Sequence, residues 1–296
     1  MIKRVIFRER LLPYLLLLPQ LLIIGVFFYG PATEAILNSF LLSNPFGLGW
    51  KFVWLDNFIY LFRRPEYLNS FVITILFCVA VMAVSLGFGL LFALGTHRVR
   101  FGSGFYKSFL IFPYAIAPVL SGVLWLFIFH PSMGVASFLI RSVGINWNPL
   151  LNGTQAMILV VLAASWKQIS YNFIFFLAGL QAIPLGVLEA ASVDGANAYR
   201  KFVSIVFPLL TPTMFFLMVV NVTYAFFDTF AIIHAVTHGG QGQSTNILVY
   251  KVYADGFIGL NLGSSSAQSV VIMIIVIALT VVQFRYIETK VQYEMT

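Results

Sequence analysis

Six stretches of this sequence are apolar for the length a helix needs to cross a lipid hydrocarbon core: Leu11 to Tyr29, Phe71 to Leu94, Ser108 to Phe129, Gln155 to Leu180, Pro208 to Val236 and Ala267 to Phe284. A helix rises about 1.5 Å per residue, so roughly 20 residues cover about 30 Å. Uninterrupted runs such as Val270 to Val282 are incompatible with the alternating strands of a membrane β-barrel. With 60% of its 296 residues apolar and 9% charged, the chain carries more apolar surface than one soluble core can enclose. The expected fold is all-α: a single polytopic membrane domain over residues 1–296 with six transmembrane helices.

The basic start (Lys3, Arg4, Arg8, Arg10) precedes an apolar run too long for a signal peptide and followed by no small-residue cleavage site, so it reads as an uncleaved first span. Orientation follows from the cations. If the N-terminus is cytoplasmic, that side receives Lys3, Arg4, Arg8, Arg10, Arg98, Arg100, Lys107, Arg200, Lys201, Arg285 and Lys290. The other side receives Lys51, Arg63, Arg64, Arg141 and Lys251, and Lys167 falls inside a span. Eleven against five places both termini in the cytoplasm. The net charge of +7 is therefore a topology signal, and no basic stripe supports nucleic-acid binding. The single Cys78 lies within a span and reads as a small packing residue.

Two outer connections are long, Gly30 to Ser70 and Thr237 to Ser266. Aromatics such as Trp50, Trp54, Tyr60 and Phe257 recur through them, which argues for order. They serve either as a docking surface for a soluble partner or as covers over the helix ends. The inner connection from Gln181 to Phe207 is too polar to span. Helical periodicity on both sides of Gly195 predicts two short helices joined by a glycine turn on the cytoplasmic face. No internal repeat is present, which weighs against carriers built from duplicated halves.

No GxxxxGK[ST] phosphate loop occurs, so a chain of this kind takes its energy from another subunit or an ion gradient. The most specific motif lies in EAASVDGANAYRKFVSIVFP: Glu189, Ala190 and Ala191, then Gly195 after three residues, then Ile205 and Pro208. Here small alanines present a helix to a partner groove, Gly195 allows a sharp turn, and Glu189 can meet a basic group. The plain alternative is an amphipathic helix lying on lipid headgroups.

This motif resembles the EAA loop of permease subunits in ATP-binding-cassette importers, departing only at Phe207 where that family usually has Leu. The segments Pro113 to Pro131, Trp166 to Pro184 and Tyr224 to Gly240 are similar to the carbohydrate-type branch. The closing Ala267 to Glu288 is most similar to the part of that branch that imports sn-glycerol 3-phosphate. The resemblance implies a non-catalytic bacterial inner-membrane subunit that pairs with a homologous second permease. It further implies two copies of a cytoplasmic ATPase, which carry the ATP and Mg while this chain binds no cofactor, and an extracytoplasmic binding protein that delivers cargo. The EAA-loop residues Glu189, Ala190, Ala191, Asp194, Gly195, Ile205 and Pro208 would form the ATPase coupling. A sugar or polyol is the rival cargo, and an ion-coupled secondary carrier the rival class.

Within the membrane, Lys167 costs about 2.5 to 3.5 kcal/mol by insertion scales and needs compensation. At about 100° per residue, Ser165, Lys167, Gln168, Tyr171 and Asn172 share an arc of about 160°. Asn221, Tyr224 and Asp228 share a face of the fifth span. These faces either line a pathway, with Lys167 attracting an anionic hydroxylated cargo, or hold helices together, with Lys167 paired to a carboxylate such as Asp228 or to the partner permease. Pro113 and Pro118 predict a kink or local unwinding of the third span. His97, His130, His234 and His238 are spaced as interface residues, not as a metal cluster.

Overall fold

The computed structural model of the protein describes residues 11–43, 49–99 and 101–287. Residues 1–10, Arg100 and Lys290, contributors to the charge asymmetry, lie outside the described residues. The contacts form two compact units, Met1–Arg63 with Val252–Val271, and Arg64–Lys251 with Ile272–Thr296.

In the first unit, helix α1 (Leu11–Asn38) is an apolar rod of 28 residues. The sequence predicts its end at Tyr29, ahead of Gly30-Pro31, yet the helix continues. Pro31 lacks an N–H, and its ring would crowd the carbonyl one turn back. A π-helical turn over Gly25–Tyr29, closed by the Gly30 N–H donating to the Gly25 carbonyl, widens the helix at that point. After α1 comes an antiparallel ribbon, β1 (Leu41–Ser43) and β2 (Trp50–Phe52), with Leu41 opposite Phe52. Among the described residues this ribbon is the one departure from an all-α fold. Helix α2 (Asp56–Arg63) is fastened by the Asn57 amide, which donates to the carbonyls of Ser39 at 2.9 Å and Leu41 at 3.1 Å. The described parts of the connection are thus ordered, as the aromatic content predicts.

The second unit is built around two long helices, α3 (Pro65–Arg98) and a partner introduced below. Helix α3 opens with Pro65 in its first turn behind an extended Arg64 (φ −88°, ψ 119°), a start for which proline is preorganised. Helices α4 (Ser103–Ala115) and α5 (Pro118–Ile128) follow, bent by 104° relative to each other. A short α6 (Val135–Ser142) leads to α7 (Gly153–Ala182), the partner of α3. The Asn152 side chain caps α7 by accepting from the N–H groups of Thr154 (3.0 Å) and Gln155 (3.2 Å).

Then come α8 (Leu185–Val193), α9 (Ala198–Leu209), α10 (Thr211–Asp228) and α11 (Phe230–Val236). Helices α9 and α10 meet at 64°, with the bend just after Pro208. Pro208 sits inside the end of α9, just after a π-helical turn over Phe202–Val206 that widens the helix ahead of it, and the bend follows at Leu210, ahead of Pro212. Helix α12 (Leu248–Tyr253) takes its first cap from α3, with the Leu248 N–H donating to Thr74 Oγ1 at 2.8 Å. The last helix is α13 (Leu262–Val282).

Among the described residues, α1, α3, α7 and α13 are each long and apolar enough to cross a membrane. The two bent pairs bring the number to six if each counts as one crossing.

Lipid tails are as apolar as leucine, so helix association rests on close packing and buried polar contacts. The core of the second unit gathers Ala93 from α3, Phe173, Phe176, Leu177 and Leu180 from α7, and Leu210 and Leu217 at and beyond the α9 to α10 bend. Where α3 crosses α7, Gly89 lets the backbones approach: a Cβ there would stand 2.7 Å from the Asn172 Cβ.

Candidate functional site

The break between α4 and α5 follows from Pro118; Pro113 lies inside α4, which runs on to Ala115. Pro118 has no N–H to offer the Tyr114 carbonyl, and its ring drives the preceding residues out of helical geometry. Ile116 (φ −77°, ψ 134°) and Ala117 (φ −59°, ψ 141°) are accordingly extended. The carbonyls of Tyr114 and Ile116 are left without helical donors, at a helix C-terminus that already carries partial negative charge.

Lys167 supplies the missing donors. From α7, its Nζ donates to the Tyr114 carbonyl at 2.7 Å and to the Ile116 carbonyl at 2.7 Å, and lies 5.1 Å from the centre of the Tyr114 ring. Two of the three ammonium N–H donors are thereby engaged, and one is left for other acceptors. These are the compensation the intramembrane lysine requires; its hydrogen bonds go to the broken helix and none goes to Asp228.

Lys167 stands on the wall of a cleft of about 590 Å³ lined by Tyr114, Pro118, Gln168, Tyr171, Val219, Val220, Thr223, Tyr224 and Asp228. Tyr171 packs on Tyr114 (ring centres 5.6 Å apart) and on Phe175 (4.7 Å). Tyr224, Phe226 and Asp228 lie in a π-helical turn, Tyr224–Asp228, that closes α10. The Tyr224 hydroxyl donates to the Ala164 carbonyl of α7 at 3.1 Å. Asp228 and Thr223 are exposed on the open side of the cleft.

Asn172 and Asn221 are absent from that wall. Both are fully buried, and their amides exchange hydrogen bonds: Asn221 Nδ2 to Asn172 Oδ1 at 2.9 Å, and Asn172 Nδ2 to Asn221 Oδ1 at 3.3 Å. Asn221 also donates to the Leu217 carbonyl at 2.7 Å. This is a clasp between α7 and α10, which holds both amides in the packing between helices and off the cleft wall. Buried Ser165 likewise faces packing, its Oγ without a hydrogen-bond partner. The remaining candidates, Lys167, Gln168, Tyr171, Tyr224 and Asp228, all meet at the cleft.

Sequence reasoning placed a kink at Pro118 but did not name Tyr114 or Thr223. The signal for Tyr114 was Pro118 itself, whose missing N–H fixes where a carbonyl is orphaned and hence where a cation can rest.

A second construction lies at α8 and α9. Helix α8 ends in a double-bonded C-terminal turn: the Gly195 N–H donates to the Ser192 carbonyl at 3.1 Å and the Ala196 N–H to the Ala191 carbonyl at 2.9 Å. Gly195 takes the left-handed conformation this turn demands (φ +76°). Asn197 then caps α9 through the Arg200 N–H at 2.9 Å, and Lys201 Nζ reaches back to Ser192 Oγ at 2.6 Å. Glu189, Ala190 and Asp194 are exposed, but Ala191 is buried. Ala190 alone of the two alanines is therefore available to a partner, because the helix turns its neighbour inward. Ile205 and Pro208 are half-buried along α9.

The profile of the family described as "Binding-protein-dependent transport system inner membrane component" matches residues 85–293. The chain is 56% identical over 289 residues to the sn-glycerol-3-phosphate transport system permease protein UgpA of Agrobacterium fabrum, covering 98% of this chain and 99% of that one. It is 52% identical to the UgpA of Yersinia enterocolitica, over 96% of both chains. In fold it is similar to a chain from the crystal structure of a bacterial ABC transporter involved in the import of the acidic polysaccharide alginate. That match has a TM-score of 0.78, 21% identity, and coverage of 93% of this chain and 96% of the other. A family match over most of the chain, with relatives more than half identical from end to end, means that the chain belongs to the inner membrane components of binding-protein-dependent transport systems.

Proposed function

We propose that this chain is one permease subunit of an ATP-driven importer of sn-glycerol 3-phosphate. The observation that carries this reading is the 56% identity to a permease of that transport system over 98% of the chain. The cleft is chemically suited to such a cargo. Its ammonium, fixed by two carbonyls, keeps a free donor for phosphate oxygens, and Gln168 and Thr223 add polar groups on the same wall.

The cleft is open where Thr223 and Asp228 are exposed. Lipid would be a poor cover for a carboxylate, so a homologous second permease completes the path. A binding protein delivers the cargo, in keeping with the family's description. Two copies of a cytoplasmic ATPase bind ATP and Mg and engage the exposed face of α8 at Glu189, Ala190 and Asp194. The coupled turn at Gly195 then passes movement through α9 to the fifth crossing. In this reading both termini are cytoplasmic, and the chain binds no cofactor and breaks no covalent bond.

The test is uptake of labelled sn-glycerol 3-phosphate into proteoliposomes holding this chain with its co-purifying subunits, binding protein outside and ATP inside. Uptake is expected to require both. ATP hydrolysis without uptake of this cargo would move the search to sugars and polyols, and uptake that survives ATP depletion and collapses with an ion gradient would overturn the reading.

A further inference from the structure

Resting on the proposed reading of the cleft as the cargo pathway, we infer that Asp228 determines specificity by reading the hydroxyl end of the cargo, opposite in sense to Lys167. The two charged side chains on the cleft wall have different needs. Lys167 is largely satisfied by the chain itself, at 2.7 Å from each of two carbonyls. Asp228 accepts no hydrogen bond from the described residues, although it shares the wall with Gln168, Tyr171 and Thr223.

Two of the neighbouring donors are engaged elsewhere. The Tyr224 hydroxyl goes to Ala164 at 3.1 Å, and the Thr223 hydroxyl to Val219 at 3.1 Å. A carboxylate in a membrane-embedded cleft is costly without donors, and it can take hydrogen bonds only as an acceptor. Its complement is a ligand group that donates. An ammonium, which only donates, has the reverse complement. One wall therefore presents a donor for an acceptor-rich anionic group and an acceptor for hydroxyls, and a phosphomonoester bearing free hydroxyls meets both. The same carboxylate repels a second anionic group, which sets the site against diphosphates.

The experiment uses the full complex in lipid nanodiscs without binding protein. Binding of sn-glycerol 3-phosphate and of propyl phosphate, which lacks the hydroxyls, is compared by saturation-transfer NMR. Wild type is expected to prefer sn-glycerol 3-phosphate by about ten-fold, the worth of a hydrogen bond to a charged group, and Asp228→Leu, which removes the acceptor, to reduce that preference to near parity while still binding propyl phosphate. Asp228→Glu, which keeps the acceptor, is expected to restore part of it.

An unchanged preference in Asp228→Leu would overturn the inference. So would loss of the second permease from the variant complex, which would make Asp228 a subunit contact. If wild type binds neither phosphate yet still imports sn-glycerol 3-phosphate with ATP, the inference fails and the proposed function stands. If that import fails as well, the proposed function itself falls.

Discussion

The two ends of the polar arc on α7 are put to opposite uses. At one end Asn172 is sealed against Asn221, each amide answering the other and both fully buried. At the other, Lys167 and Tyr171 face a cleft, and the lysine holds together a helix broken ahead of Pro118. A polar residue in a membrane helix thus has two stable fates. It can be closed off in a reciprocal pair, or it can be tied to freed backbone and left facing a space. The first fate fixes helices against each other, and the second leaves chemistry available.

The sharpest way to break this contrast is Lys167→Ala. It removes the one cation on the cleft wall and orphans two carbonyls, and uptake is expected to fall at least about ten-fold while the assembled complex continues to hydrolyse ATP. Uptake at the wild-type level would mean that the cleft is as much a packing feature as the clasp.

The converse test is Asn221→Leu. Leaving the Asn172 amide buried and unpaired costs about 1 to 3 kcal/mol, expected as a lower melting temperature in detergent with uptake per folded complex little changed. Replacing both asparagines by leucine should recover part of the loss, with a coupling of about 0.6 to 1.7 kcal/mol. A double variant no better than the single one would show that the two amides do not act as a pair.

The smallest effect is expected at Gly195→Ala, which sharpens the comparison with a third region built to move as a unit. Nothing lies within 4 Å of the added Cβ, so the cost is the left-handed backbone alone, about 1 to 2 kcal/mol. The measurement is cargo imported per ATP hydrolysed, expected to drop while ATPase activity persists. An unaltered ratio would mean that the turn is not part of the coupling route.

Much of this architecture was legible from the residues. Runs of apolar length gave the crossings, Pro118 gave the break, and periodicity on either side of Gly195 gave α8 and α9. The misses share a physical cause. Periodicity at 100° per residue shows that Asn172 and Lys167 lie on one side of a helix, but which neighbour covers each end of that side depends on tertiary packing. Ala191 turned inward for the same reason.

The extension of α1 past Pro31 was hidden because a π-helical turn absorbs a proline that would end an α-helix. The partner of Lys167 was sought among carboxylates, whereas the missing N–H of Pro118 had already created an acceptor. Backbone groups carry no letter in the sequence, and they have to be inferred from the donors that proline removes.

The mooring of Lys167 also bears on membrane voltage. An ammonium held by two carbonyls of its own chain is a fixed charge that does not travel with whatever passes it. An anionic cargo therefore carries its full charge through the transmembrane field, at about 2.3 kcal/mol per elementary charge for each 100 mV. A stationary cation can flatten the barrier along the way, but it leaves the total electrical work unchanged. For a dianion entering a cell that is negative inside, that work is a standing opposing load, and it falls to the energy source of the assembly and not to this chain.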